Sequence, residues 1–328
     1  MCVVDAEDGT FGCGTTIASA PVCSIINDHL APILVGEPAM ATETIFDLLI
    51  RATASYANAG VVSHAIAAVD LALWDLKGKL LRRPVYELLG GPQTEHIPCY
   101  ATGVDVEWYR ELGFSGVKLP LPFDPRDGVR GIADAERRVA EAREHLGRDI
   151  DLMLDCWLAL DEETTVRLAT ALRPYDLRWV EDYLLPEETA GYRAVRQRLP
   201  SQGLATGEHW YTIQRFAEAI GERWVDVLQP DVEWMGLTAC VHVCHMAAAA
   251  GLTVAPHGGM NTPYGQHLVY ALPAARLGEL GLTPGKTPLA DRVQLPGTAV
   301  VEEGTLVPSA EPGFGLEVDR AWLDTVAI

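Results

Sequence analysis

Five runs decide the fold: DLMLD ending at Asp155, RWVED carrying Glu181, LATGEH carrying Glu208, VDVLQPD ending at Asp231 and LTVAPH ending at His257. Each reads as apolar residues that finish on an ionisable side chain, and successive landmarks lie 23 to 27 residues apart. That interval suits one strand, one helix and two loops, the repeating unit of a parallel (β/α) barrel, whose chemistry sits at the C-terminal ends of its strands. All five landmarks fall at such ends. Carboxylates from three adjacent strands would converge on one small volume and repel unless a positive charge lies between them. A divalent, oxygen-seeking cation such as Mg²⁺ is the simplest answer.

The composition agrees with a barrel enzyme. A chain of 328 residues, 48% hydrophobic, has room for one barrel and a smaller accessory domain. The formal net charge of -20 argues against nucleic acid or an anionic membrane as partner, since either would be repelled. Seven cysteines (Cys2, Cys13, Cys23, Cys99, Cys156, Cys240, Cys244) are scattered and odd in number, without CxxC spacing, so they read as reduced thiols. No basic-plus-apolar leader opens the chain and no apolar run is long enough to span a bilayer. The expectation is a soluble, cytoplasmic protein.

Residues 1 to 16 alternate and turn at Asp8-Gly9, which predicts a β-hairpin. Helical spacing follows over 20 to 55, and VVSHAIAAVDLALWDLKGKLL from Val61 predicts a long helix that Gly90-Gly91-Pro92 later stops. Residues 1–95 are therefore read as a small α+β capping domain, 96–290 as the barrel, and 291–328 as a tail returning to the cap. The barrel opens at IPCYATG; its second strand is GVKLPLP at 116 to 122, with Lys118 inside, and its last strand falls near 276 to 280. The Pro- and Gly-rich tail ends in a strand pattern at Gly315 to Val318. His242, Cys244 and His245 share one predicted helix without matching ligands elsewhere and read as structural. Glu233 and Trp234 follow Asp231 directly and receive no role.

These residues also carry a recognisable pattern. The chain resembles the enolase superfamily, in its mandelate racemase-like branch: the helix from Val61 through Gly91 looks like that branch's cap signature, and the resemblance spans nearly the whole chain. GEHW at 207 to 210, QPD at 229 to 231, APHGG at 255 to 259 and the ending PSAEPGFGLEV look most like the L-rhamnonate dehydratase family. The resemblance implies a (β/α)7β-type modified TIM barrel in the α/β class, Asp155, Glu181 and Glu208 as ligands of Mg²⁺, and Asp231 with His257 as a catalytic dyad. It further implies Lys118 as a fixed cation near a substrate carboxylate, Glu279 and His209 as pocket residues, and a symmetric homo-oligomer.

The chemistry of the residues agrees. A proton α to a carboxylate is weakly acidic, because its removal creates a dianionic enediolate that a cation must stabilise. His257 suits a base poised near neutral pH, and Asp231 on its other ring nitrogen would fix the tautomer. Relatives with a second base read Lys-x-Lys or Lys-x-His on the second strand, whereas this chain reads Lys118-Leu119-Pro120. Proline cannot move a proton. Dehydration of an acid sugar by one base is the expected reaction, ahead of racemisation, cycloisomerisation or a non-catalytic role; a hydrolytic metallo-barrel would need a first-strand His-x-His that IPCYATG lacks. Family members carry a further strand and a mobile loop before the segment that begins here at Cys2, so the cap is read as N-terminally truncated. Metal binding should survive that difference, and tight closure over the substrate should weaken.

Overall fold

The computed structural model describes residues 1–17, 19–56, 59–121 and 123–326. Asp8 and Gly9 turn the chain between β1 (Cys2–Asp5) and β2 (Phe11–Gly14), which pair antiparallel from Cys2 opposite Gly14 to Asp5 opposite Phe11. A broken helical stretch over 20–34 leads to α1 (Thr42–Thr53) and then α2 (Val61–Leu81). Helix α2 is buried on nearly every side, and β2 lies directly on it. Glycine makes that approach possible: a Cβ on Gly12 would stand 2.0 Å from the Ala72 carbonyl oxygen, and one on Gly14 2.1 Å from that of Ala68.

Eight parallel strands follow: β3 (Ile97–Thr102), β4 (Gly116–Pro120), β5 (Asp151–Asp155), β6 (Val180–Glu181), β7 (Leu204–Thr206), β8 (Val227–Leu228), β9 (Thr253–Val254) and β10 (Gly278–Gly281). They neighbour one another in chain order, β10 pairs with β3, and a bridge from Val254 to Ala275 brings the two ends of the sheet together. Between them run α3 (Val106–Glu111), α4 (Gly128–Leu146), α5 (Glu162–Leu172), α6 (Thr189–Arg198), α7 (Ile213–Glu222), α8 (Leu237–Ala250) and α9 (Pro263–Ala271). One main helix follows each of the first seven strands, with a short extra helix at Val232–Met235 before α8, which is the (β/α)7β arrangement that the resemblance implies. Tyr100, Met153, Trp179, Ala205, Val227, Ala255 and Leu277 fill the barrel interior as one cluster, separate from the larger core between strands and helices.

The cap grips the barrel through buried polar contacts. Asp70 on α2 accepts hydrogen bonds from the Thr238 N–H at 2.9 Å and hydroxyl at 2.6 Å, and the Trp74 indole donates to that hydroxyl at 2.9 Å. Asp75 accepts from the Cys13 and Phe314 N–H groups and from Lys79, so one carboxylate ties hairpin, α2 and tail together. Each donor left without its partner would be a buried, unsatisfied group costing about 1–3 kcal/mol.

Three details differ from the sequence expectation. Gly315 to Val318 is not a strand: Gly313 and Gly315 take φ of 74° and 70°, and within the segment the Glu317 N–H donates to the Pro296 carbonyl at 3.1 Å. Strand β4 stops at Pro120, and Pro122 lies outside the described residues. The helix over 236 to 250 starts only after a break at Gly236, whose φ is 90°. Among the described residues no helix is long and apolar enough to cross a membrane. All seven cysteines are free, with Cys23 alone exposed.

His267 on α9 shows what burial does to a titratable group. Its Nδ1 accepts the Tyr86 N–H at 3.2 Å, its ring packs on Tyr86 and Phe314, and burial lowers its pKa from 6.5 to about 3. Below pH 6.5 the unfolded chain therefore binds a proton that the folded chain refuses, so stability present at neutral pH is lost as pH falls towards 3. Between pH 7 and pH 5 this group alone should remove about 2 kcal/mol. Urea unfolding of His267→Gln beside the parent should show that much less loss over the same interval. Parallel pH profiles would sink the assignment.

Candidate active site

The strand ends bring together the residues that the sequence marks, and the surrounding elements explain how each is held. Lys118 projects from β4 into the barrel, 1% exposed, where it pairs with Glu181 at the end of β6 and with Glu279 on β10, the latter at 2.8 Å. Neutral donors complete the floor: Trp179 Nε1 and Gln229 Nε2 donate to Glu181 at 2.8 and 2.7 Å, and Gly258 N–H and the Thr102 hydroxyl donate to Glu279. One lysine serves two buried carboxylates. Burial disfavours the charge on Lys118, yet Glu181 and Glu279 outweigh it and hold its pKa well above the usual lysine range. Burial raises Glu181 to about 8 despite Lys118, whereas for Glu279 the opposing charges of Lys118 and His257 overcome burial and bring it to about 2.

His257 follows β9, its Nδ1 2.6 Å from Asp231 Oδ2. The other oxygen of Asp231 accepts the N–H groups of Glu233 and Trp234 at 2.7 and 3.0 Å, so the turn after β8 fixes the carboxylate that fixes the imidazole. Nε2 faces Glu208, 3.4 Å away, and the side chain is 30% exposed at the mouth. Burial alone would lower this imidazole, but its bond to Asp231 and the charges of Glu208, Asp231 and Glu279 raise it to about 10. Glu208, at the end of β7, is raised to about 9 by burial, with Asp182 and Glu181 adding to the shift against His257 and Lys118.

A second grouping shares Glu208 with the set that the resemblance implies. The donor atoms of Asp182, Glu208 and His209 lie within 4.8 Å of one another, and His209 Nδ1 sits 2.9 Å from Asp182 Oδ2 while Thr206 donates to the other oxygen. Asp155 and Glu181 stand beside that group. Asp155 Oδ1 accepts the Trp157 N–H at 2.8 Å, and its pKa is raised by burial, with Asp182 and Glu279 contributing. Asp155, Glu181 and Glu208 are mutually repelling oxygen donors whose pKa values burial raises, which suits a hard divalent cation, and Glu208 belongs to either grouping.

Several residues here were not assigned a role from sequence. Asp182 is masked by its neighbour Glu181, since either could be the acid at that strand end. Trp234 lies 5.2 Å from His257, 5.5 Å from His209 and 5.5 Å from His64, measured between ring centroids, so one indole backs three imidazoles. Glu233 accepts the Thr15 hydroxyl at 2.6 Å and is raised to about 7 by burial and by Asp231. The usable signal was adjacency to Asp231, and for His64 a lone histidine in an apolar helix. His242, by contrast, pairs with Glu43 at 3.0 Å, away from this site.

A parallel barrel that gathers buried acids, one lysine and a His–Asp pair at its strand ends is an enolase-type barrel. Residues 104–322 match the family described as Enolase C-terminal domain-like, and residues 1–90 match the Mandelate racemase / muconate lactonizing enzyme, N-terminal domain. The chain belongs to this family. It is 43% identical over 268 residues to an L-rhamnonate dehydratase of Saccharopolyspora erythraea, covering 81% of this chain and 68% of that one. The crystal structure of a rhamnonate dehydratase from Gibberella zeae complexed with Mg superposes with a TM-score of 0.89 at 32% identity, covering 98% of this chain and 80% of that one. A 3,6-anhydro-D-galactonate cycloisomerase from Zobellia galactanivorans reaches 0.86 at 29% identity, covering 98% and 92%.

The floor makes its own prediction. Replacing Lys118 with Met should leave Glu181 and Glu279 buried without their cation and cost roughly 3–5 kcal/mol at neutral pH. Denaturant unfolding of the variant measures this, and a loss below about 1 kcal/mol would mean that the pair is not what holds the floor.

Proposed function

We propose that this protein is an Mg²⁺-dependent hydro-lyase that dehydrates an acid sugar, L-rhamnonate or a related aldonate such as L-lyxonate or L-mannonate, to its 2-keto-3-deoxy acid. The observation that carries the reading is His257, held by Asp231 with Nε2 turned into the mouth, together with Pro120 where a second base would stand. Similarity to the rhamnonate dehydratases supports the substrate class. Asp155, Glu181 and Glu208 would hold the Mg²⁺, with Asp182 and His209 beside them, and its charge would stabilise the substrate carboxylate as the α-proton leaves.

The chain's own residues account for the rest. With a cation held by Glu208 and its neighbours to offset the carboxylate charges that raise His257, the neutral ring, its Nδ1 hydrogen on Asp231, takes the C2 proton at Nε2 while the C–H electron pair passes into the carboxylate as an enediolate. Asp231 keeps Nδ1 protonated and stabilises the imidazolium that forms. That same proton then goes to the 3-hydroxyl, which departs as water while the electron pair returns to make the C2–C3 double bond. The enol then loses its 2-hydroxyl proton as C3 gains one, and becomes the ketone. Lys118, anchored by Glu279, supplies a fixed positive charge beside the carboxylate end. A cycloisomerase reading is less well supported, because the sixth-strand motif QPD carries no lysine base. We further infer residues 1–95 as the cap, a reducing cytoplasmic setting from the free thiols, and a homo-oligomer.

A panel of four- to six-carbon aldonates assayed with Mg²⁺ for 2-keto acid should identify a substrate, and His257→Asn should lower kcat by about 10³-fold or more, having removed both base and acid. Silence of the parent across the panel would overturn the reading. Mg²⁺-dependent thermal shifts separate the two groupings of acids: Asp155→Asn, Glu181→Gln and Glu208→Gln should each abolish the shift, while Asp182→Asn should keep part of it. The reverse pattern for Asp155 and Asp182 would move the metal to Asp182, Glu208 and His209.

A further inference from the structure

Helix α2 belongs to the cap, yet one of its side chains reaches the seam with the barrel mouth. His64 is buried there, with Nδ1 2.9 Å from the Thr16 hydroxyl oxygen. The Thr16 hydroxyl donates to the Glu233 carbonyl at 2.7 Å. A hydroxyl has one proton to give. With that proton committed to Glu233, Thr16 can only accept from His64, so Nδ1 carries the hydrogen and Nε2 presents a lone pair. Burial lowers the pKa of this ring against the pull of Asp231, which keeps it neutral. Nε2 has no protein partner among the described residues, and it is not sealed in: the imidazole nitrogens sealed without a partner are those of His29 and His267.

The position of that lone pair gives it a use. The His64 ring lies edge-on to Tyr211 at 5.7 Å and to Trp234 at 5.5 Å, and Trp234 backs the base His257. A neutral nitrogen acceptor repels carboxylate and attracts a hydroxyl proton. We propose that His64 is a specificity-determining residue, whose Nε2 accepts a hydrogen bond from a substrate hydroxyl remote from C2 and C3, so that the cap reads the far end of the acid sugar. This rests on the dehydratase reading above.

The test compares a six-carbon aldonate with a four-carbon analogue of the same C2 and C3 configuration, using turnover or, where turnover is slow, the inhibition constant. His64→Phe should lower the ratio of kcat/KM for the long over the short compound by about 10²-fold, mostly through KM, because a site built for a hydroxyl loses its discrimination with the partner gone. His64→Gln, whose amide can accept, should restore part of the ratio, and Thr16→Val, which unlocks the tautomer, should lower it by a smaller factor. These two variants carry the contrast should the phenylalanine fail to fold. An unchanged ratio in all folded variants, including equal losses on both compounds, would reduce His64 to a structural support and overturn the proposal while the dehydratase reading stands. A parent inactive on every aldonate would overturn both.

Discussion

The structure is governed by an excess of buried negative charge at one end of the barrel. Asp155, Glu181, Asp182, Glu208, Asp231 and Glu279 converge there, and Lys118 is the one lysine among them. Two like charges 4 Å apart repel by about 4 kcal/mol at the effective dielectric of such a site. Much of the local architecture serves to spread that cost. Trp179, Gln229, Thr102, Thr206 and the N–H groups of Gly258, Glu233 and Trp234 all aim donors at carboxylate oxygens. Burial first, and then the carboxylate charges that these neutral donors cannot offset, raise the pKa values of Glu181 and Glu208.

The cap is fastened to the same element that orients the base. Asp70 and Trp74 hold Thr238 at the start of α8, Thr15 and Thr16 hold Glu233, and Ser63 donates to the Trp234 carbonyl at 2.6 Å. All of these partners lie within eight residues of Asp231. Cap docking and dyad geometry are therefore coupled: a shift of α2 would move the turn whose N–H groups anchor Asp231, and with it the ring of His257. Positioning errors near 1 Å at a reacting group carry large rate penalties, so in the reaction proposed the cap would contribute to catalysis without touching the reacting carbons.

Most of the barrel was legible because two periodicities coincide in the sequence. Apolar strand runs and their terminal acids recur at one interval, and the helices between them keep an apolar stripe. The candidate site's placement was legible where one ionisable residue ends or closely follows a strand, as at Asp155, Glu208, Asp231 and His257. It was obscured at Glu181-Asp182, where two adjacent acids both bury and both find partners, so spacing alone cannot rank them. The tail at Gly315 to Val318 misled for a different reason: alternation imitates a strand, but Gly313 and Gly315 take positive φ and the Glu317 N–H goes to the Pro296 carbonyl. His64 was hidden because α2 is buried all round, and only the three-dimensional seam shows which face its ring meets.

A single base has a stereochemical consequence for the reaction proposed. The same nitrogen that removes the C2 proton must protonate the 3-hydroxyl, so both groups have to lie on the side of the substrate that faces His257. With Pro120 on β4, nothing at that position can supply a proton from the other side. Rotation about the C2–C3 bond lets any acyclic aldonate reach that arrangement, so diastereomers differ in where it places C4 and the remaining hydroxyls. Those hydroxyls must then be told apart, and the barrel floor, given over to Lys118 and carboxylates, has little capacity for that task. Discrimination at the far end falls to the seam between cap and barrel, where Trp234, Tyr211 and His64 form a wall whose one fixed acceptor belongs to the cap.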